Sequence, residues 1–441
     1  MRLSFRLNDD ERGGPQDLSV FAAGVAYNAQ RTCANRCVRF VPRALASGAV
    51  GTTNQDGHPW RPGNTSDACM CSFHSGRRSE AESRTYLSQE ISTGDSALLK
   101  STEHLLNIDG TRIYAIEQGT GPMVLLVHGF PEIAYSWRHQ LPALAAAGYR
   151  AVAIEQRGYG RSSKFWRPEA YRIDHLVADL VGVVKALGET HAVLVGHDWG
   201  APVVWSAAWM HPEVFRGVVG MSVPFAGKGL IGVPGNPFGD KPVEEYQREL
   251  AGPGQDFYHT YWSTLGPILD EVEADLAGWI RSIIYSVSGE GLAAAGFSLT
   301  AADPITLIRQ SAVCIPHGTR MRDRFLVPQP VPWLSEEDLA VYIEAFQRSG
   351  LHGPLSYYRN LPEDQVVMER YAGTRLAVPA YFIGGEYDVA TWWGAESTAR
   401  AREVIADYRG ETVFPGCGHW IQQERPTETN RLLIEFLAGL K

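Results

Sequence analysis

The chain has 441 residues, of which 44% are hydrophobic and 20% charged, with a formal net charge of −9. That balance is ordinary for a soluble globular protein of two or three structural units. The acidic excess, with no basic cluster, excludes nucleic acid or an anionic membrane surface as a main partner. No apolar run approaches the ~20 residues needed to span a bilayer, and six cysteines in this length exclude a disulfide scaffold.

Residues 1–100 are rich in Arg, Ser, Gly, Asn and Thr and show no sustained period of 2 or 3.6. Such a stretch buries little apolar surface and is expected to be a disordered leader, or upstream sequence included by a wrong start site. Its opening Met1-Arg2-Leu3-Ser4 runs into Asp9, Asp10 and Glu11, which is not a secretory leader, so a cytoplasmic location is expected. Cys33, Cys37, Cys69 and Cys71 lie near His58 and His74, but C-x3-C and C-x-C spacings match no common zinc pattern, and no metal is expected. The sequon at Asn64 has no meaning without secretion.

From Glu103 the pattern becomes regular. His104–Asn107 and Thr111–Glu117 read as a hairpin about Asp109-Gly110. Met123–Val127 and Arg150–Ile154 are continuous apolar runs, as in strands buried on both faces. Ile173–Leu187 has helical spacing and stops at Gly188. Ala192–Val195 is a third buried strand, followed by a helical stretch from Ala201 to Met210, and Phe215–Val223 is a fourth. The alternation stops at Pro224. Residues 225–360 hold no clear buried strand, many Trp and Tyr, and helical stretches such as Ser335–Ser349. It resumes with a strand at Pro379–Gly384, a helix at Ala395–Tyr408, a strand at Thr412–Phe414 and a helix at Pro426–Leu440. The fold class is therefore α/β with a mainly parallel sheet. Residues 101–224 and 361–441 form the two halves of the core, and 225–360 form a helical cap inserted after the sixth strand. Such an insertion sits over the carboxyl ends of the strands, where open α/β sheets bind ligands.

Gly196-His197-Asp198-Trp199-Gly200 follows a buried strand and opens a helix, the layout of a nucleophile elbow. Small residues two before and two after the nucleophile permit the sharp turn. Most elbows carry Ser. Here the position holds Asp198, whose carboxylate is already ionised at neutral pH, the unperturbed pKa being about 3.9. A carboxylate displaces a leaving group at saturated carbon and becomes an alkyl ester of the protein. The ester must then be hydrolysed by an activated water, with donors for the oxyanion. His419, in Gly416-Cys417-Gly418-His419-Trp420, is the base candidate. Asp388 is its orienting acid, with Glu386 as the rival two residues earlier. The chain order of nucleophile, acid and His is the one α/β-hydrolases use. His128-Gly129-Phe130-Pro131 follows the first long buried strand, so the N–H groups of Phe130 and Trp199 are assigned to the oxyanion hole.

With these segments in place, residues 103 to 441 resemble the α/β-hydrolase-fold epoxide hydrolases. The match is carried by His128-Gly129-Phe130-Pro131-Glu132, Arg157-Gly158-Tyr159-Gly160, the Asp198 elbow and the His419 segment. The resemblance implies ring opening of an epoxide to a vicinal diol through an ester on Asp198, with no cofactor. It also implies two tyrosines that hang from the cap and protonate the leaving oxygen. Phe257-Tyr258-His259-Thr260-Tyr261-Trp262 and Ser356-Tyr357-Tyr358-Arg359-Asn360 supply them as Tyr258 and Tyr358, with Tyr261 a rival to the first. Phenol, at a pKa of about 10, is a far stronger acid than the alkoxide's conjugate alcohol. Phe130, Trp199, Tyr261 and Trp420 are assigned to substrate contact, and the aromatic content of 225–360 suggests an apolar or aryl-bearing epoxide.

Two alternatives share the fold. A haloalkane or haloacid dehalogenase also uses an elbow Asp, but the haloalkane enzymes usually place Asn after His-Gly to hold halide, where this chain has Phe130. A non-catalytic binding or receptor module would have no need for nucleophile, base, acid and oxyanion loop together. Glu155-Gln156 before Arg157 departs from the family's commoner Asp and carries no assigned chemistry.

Overall fold

The computed structural model describes residues 100–296 and 303–440. The expectations for residues 1–99, including the cysteine cluster and the sequon, lie outside the described residues.

Six strands come first: β1 (Thr102–Ile108), β2 (Thr111–Gln118), β3 (Met123–Val127), β4 (Arg150–Glu155), β5 (Ala192–His197) and β6 (Phe215–Met221). A short ribbon, β7 (Gln255–Phe257) with β8 (Cys314–Pro316), precedes β9 (Leu376–Gly385) and β10 (Ile405–Phe414). The main sheet has the order β1-β2-β4-β3-β5-β6-β9-β10. The β1–β2 and β2–β4 pairs are antiparallel and all other neighbours are parallel. The β1–β2 turn has φ of 48° at Asp109 and 90° at Gly110, the two positive values that an Asp-Gly hairpin turn provides.

The continuous apolar runs read from the sequence are explained by burial on both faces. Along β3, Met123, Leu125 and Val127 join one core cluster, while Val124 and Leu126 join the other. The helices Ile173–Ala186 and Gly200–Met210 cover the first face. Helices Gln140–Ala146 and Pro426–Ala438 cover the second with Leu141, Leu144, Leu433 and Leu437.

Between β6 and β9 the described residues add no strand to this sheet. They build helices, among them Tyr258–Ser263, Leu276–Ser286, Glu336–Ser349 and His352–Arg359. The β7–β8 ribbon was not anticipated, because three-residue strands are too short to show a period. No helix of the described residues is long and apolar enough to cross a membrane.

One expectation is corrected. Helical spacing over 395–408 suggests a single helix, but two short helices, Ala395–Ala399 and Ala401–Val404, end where β10 begins at Ile405. Pairing with β9 overrides the local pattern, and register shifts between Ile405 and Asp407 and between Tyr408 and Gly410 blur the strand's period of 2.

A buried ion pair ties these layers together. Arg157, just after β4, binds Asp179 through Nε and Nη2, each at 2.6 Å, and donates to the Ala170 carbonyl. The Arg157 carbonyl in turn accepts from the Tyr357 hydroxyl at 2.9 Å, anchoring helix His352–Arg359 over the sheet. Asp179→Ala would strand a buried guanidinium without its counter-charge. Urea unfolding should show a loss of about 3–5 kcal/mol. A loss below about 1 kcal/mol, the scale of exposed pairs, would mean that the pair does not act as a buried one.

Candidate active site

The site begins with the turn after β5. Asp198 has φ 49°, a left-handed value that Asp tolerates better than most residues. The backbones around it are in close contact. A Cβ at Gly200 would lie 2.0 Å from the Val127 carbonyl oxygen, and one at Gly196 would lie 2.3 Å from that of Gly200. Only glycine allows helix Gly200–Met210 to start so close to β3. Because β3 and β5 are neighbours, the loops leaving their carboxyl ends meet. The Phe130 N–H consequently donates to Asp198 Oδ1 at 2.6 Å. Gly129 is equally constrained, as its Cβ would fall 2.3 Å from that same oxygen.

The second carboxylate oxygen, Oδ2, faces His419 Nε2 at 3.5 Å. On the far side of the ring, Nδ1 lies 2.9 Å from Asp388 Oδ1 and 3.2 Å from Ser222 Oγ. Asp388 is fully buried and caps helix Val389–Trp393, accepting from the N–H groups of Ala390 and Thr391 and from the Thr391 hydroxyl. Burial alone would lower the His419 pKa, but Asp388 and Asp198 outweigh it and hold the imidazole well above its ordinary value. Of the two acid candidates, the structure brings Asp388 to His419. Glu386 is elsewhere, accepting from the Gly416 N–H at 2.7 Å.

The oxyanion loop is supported from below. Gln156 donates its N–H to His128 Nε2 and its side-chain amide to the His128 carbonyl. His128 Nε2 is thus the acceptor, leaving Nδ1–H to donate to the Gly129 carbonyl. Burial lowers the His128 pKa to about 4, which keeps the ring neutral. Glu132, 1% exposed, accepts from the Gly129 N–H and from Gln422 and Gln423, and lies 2.6 Å from His197 Nδ1. Burial opposes its ionisation, yet His197 and the Gly129 N–H bring its pKa down to about 2. His197 Nε2 lies 2.7 Å from the His419 carbonyl oxygen, to which it donates. Nothing local in the sequence places His197 beneath His419; the fold does.

A single cavity is bordered by Asp198, His419, Asp388, Tyr258, Tyr358, Phe130, Trp199 and Trp420. The Tyr258 and Tyr358 rings are 5.9 Å apart on the wall of this cavity. Burial first, and the Asp198 charge second, push both phenols well above their ordinary pKa, so both retain their protons. Tyr261 is not brought to the cavity. Its hydroxyl donates to Glu271 at 2.8 Å, inside the helical segment, where Glu271 also accepts from Trp279 and from the N–H groups of Met321 and Arg322. The Trp199 N–H makes no hydrogen bond to Asp198 in this state, since one oxygen turns to Phe130 and the other to His419. It caps helix Gly200–Met210 and has no intrahelical partner of its own. The remaining lining is apolar, including Val223, Trp262, Ile283, Phe325 and Trp393.

This geometry can hold an attacking carboxylate, deliver a water to its carbon and offer two phenols to a leaving oxygen. Comparison with known proteins is consistent with that chemistry. The α/β hydrolase fold family matches residues 122–235. Epoxide hydrolase B of Mycobacterium tuberculosis is 51% identical over 355 residues, 78% of this chain and 100% of that protein. Among solved structures, an epoxide hydrolase from an endophytic Streptomyces is similar with a TM-score of 0.69 and 41% identity, covering 77% of this chain and 96% of the other. Epoxide Hydrolase A from Mycobacterium thermoresistibile has a TM-score of 0.68 and 36% identity, with coverage of 78% and 99%.

The close approach at Gly129 yields a paired stability test. Gly129→Ala should lower the unfolding free energy by about 1–3 kcal/mol, the cost of overpacking. Gly266→Ala, in helix Leu265–Ala274 with nothing within 4 Å of the added carbon, should be neutral or stabilise by about 0.5–1 kcal/mol. Equal responses would contradict the close approach at Asp198.

Proposed function

The chain belongs to the epoxide hydrolases of the α/β-hydrolase fold and hydrolyses epoxides to diols, and we propose the following roles for its residues. Asp198 Oδ2 attacks a ring carbon of the epoxide, the C–O bond breaks, and an alkyl ester forms. Tyr258 and Tyr358 donate to the leaving oxygen and one of them supplies its proton. His419 Nε2 then takes a proton from a water, which attacks the Asp198 carbonyl carbon. The resulting oxyanion at Oδ1 is held by the N–H groups of Phe130 and Trp199. On collapse His419 passes its proton to the departing diol oxygen, and the proton of the resulting carboxyl returns to the tyrosinate, which restores the carboxylate. The observation that carries this reading is the split role of the Asp198 carboxylate, with Oδ1 bound by Phe130 N–H and Oδ2 facing His419 in a cavity lined by two phenols.

The proposal includes a cap formed by residues 225–360, which contributes both phenols. It also includes an uncharged, apolar or aryl-bearing substrate. The charged groups lining the described cavity are Asp198, Asp388 and His419, with no Lys or Arg to bind an anionic tail.

Charge changes along the reaction explain how one histidine serves. In the free enzyme two carboxylates favour the imidazolium. Esterification removes the Asp198 charge, so the pKa of His419 falls and the ring can lose its proton before it must act as base.

Single turnover in ¹⁸O-water tests the ester. The first diol should carry unlabelled oxygen from Asp198, and solvent label in that product would exclude the route. His419→Gln should form the ester and stall, leaving a protein heavier by one substrate mass. In the wild type, ester hydrolysis should rise with pH to a plateau while ester formation does not. Asp388→Asn should move that rise to lower pH by about 1–3 units, the effect of one adjacent charge.

The phenols have their own test. Tyr258→Phe combined with Tyr358→Phe should cost about 10²–10⁴-fold in turnover, the usual weight of a positioned acid. Unchanged turnover by the double variant would remove both tyrosines from the mechanism.

A further inference from the structure

The imidazole of His419 reaches Asp198 only if the turn Gly416–Trp420 is held at the right height. Several backbone groups of that turn are held from outside it. The His419 N–H donates to the Val287 carbonyl at 2.9 Å, and the His419 carbonyl accepts from His197 at 2.7 Å. The N–H groups on either side of His419 go to one side chain. Gly418 donates to Glu424 Oε2 at 2.7 Å and Trp420 to Glu424 Oε1 at 3.1 Å. The same Oε2 accepts from the Gly289 N–H at 3.2 Å, at the start of helix Gly289–Ala294 in the segment between β6 and β9.

Glu424 is only 7% exposed and has no cationic partner for its carboxylate. The adjacent Arg425 is turned to the main-chain carbonyls of Glu424 and Pro415. The groups that face Glu424 are therefore the three N–H donors, Glu290 from the neighbouring helix, Cys417 on the turn and Arg425. A buried carboxylate with no counterion is costly unless its hydrogen bonds are used, and here all three bonds go to backbone around the catalytic turn.

We propose that Glu424 is a positioning residue for the second half-reaction, straddling His419 so that the imidazole is aligned to activate water against the ester. This rests on the reading of His419 as the base. The consequence is asymmetric. Loss of the carboxylate slows ester hydrolysis and spares ester formation, which uses Asp198 and the tyrosines. Burial, with Glu290 adding to it, pushes the Glu424 carboxyl up to about 7. Below that pH the acid carries its own proton, one oxygen becomes a donor, and the clamp loosens. Above it the clamp is complete.

The variant Glu424→Gln keeps the shape and one acceptor but not the charge. Rapid-mixing single turnover on the full chain separates the two steps. At about pH 8, ester formation should stay within about twofold of wild type, and ester hydrolysis should slow by about 10–100-fold, as expected for a misaligned catalytic group. The two proteins should converge at about pH 5.5, where the wild-type carboxyl is itself neutral. Equal hydrolysis rates at pH 8, or an equal fall in both steps, would overturn the proposal. His419→Gln run alongside keeps the tests distinct. If that variant turns over its ester normally, the base assignment fails, whereas a stalled His419→Gln with a normal Glu424→Gln refutes the clamp alone. A second measurement needs no variant. In ¹⁵N-labelled wild type, the amide resonances of Gly418 and Trp420 should titrate together with a midpoint near 7. Amides that stay flat through this range would also refute the proposal.

Discussion

A carboxylate that faces an apolar cavity must be held by something other than water, and the hydrogen bond from the Phe130 N–H to Asp198 Oδ1 does this. Much of the architecture serves that contact. β3 and β5 are adjacent and parallel, so the loops after them converge. Gly196 and Gly200 allow the elbow to turn against β3, and Gly129 lets the loop backbone approach the carboxylate. The bond leaves Oδ2 as the oxygen that faces His419. One contact thereby separates the two oxygens, one toward a backbone donor and the other toward His419.

The second organising feature is a set of buried acids that grip His419 at different points. Asp388 holds the ring, the Glu132–His197 pair holds the carbonyl of the same residue, and Glu424 holds the N–H groups on either side. Each acid works against its own burial. Glu132 succeeds through His197 and stays ionised, whereas Glu424 has only N–H donors and a neighbouring Glu290, so burial raises its pKa instead. Two acids of one type in one region thus shift in opposite directions, according to the partners that face them.

Much of this was legible in the residues. Alternating buried strands and helices before Pro224 pointed to the parallel sheet, because a strand covered on both faces cannot alternate in polarity. Asp198 in place of Ser in a Gly-x-Asp-x-Gly elbow pointed to attack on saturated carbon, because a carboxylate needs no base to become nucleophilic. The local pattern misled over 395–408, where pairing with β9 made a strand from helix-spaced residues. It left Asp388 against Glu386 and Tyr258 against Tyr261 open, since residues two or three apart are equivalent until the backbone directs them.

The sequence by itself determined the fold class and pointed to Asp198, Asp388 and His419 in their chain order, because these depend on residue type and on periodicity along the chain. Only the tertiary structure decided which acid meets His419, which tyrosine meets the cavity, and that Glu132, His197 and Glu424 brace the His419 segment. Those contacts join residues separated by up to 291 positions, as Glu132 with Gln423. Local spacing carries no information across such distances. The sheet order and the helical segment over it bring those side chains within hydrogen-bond reach.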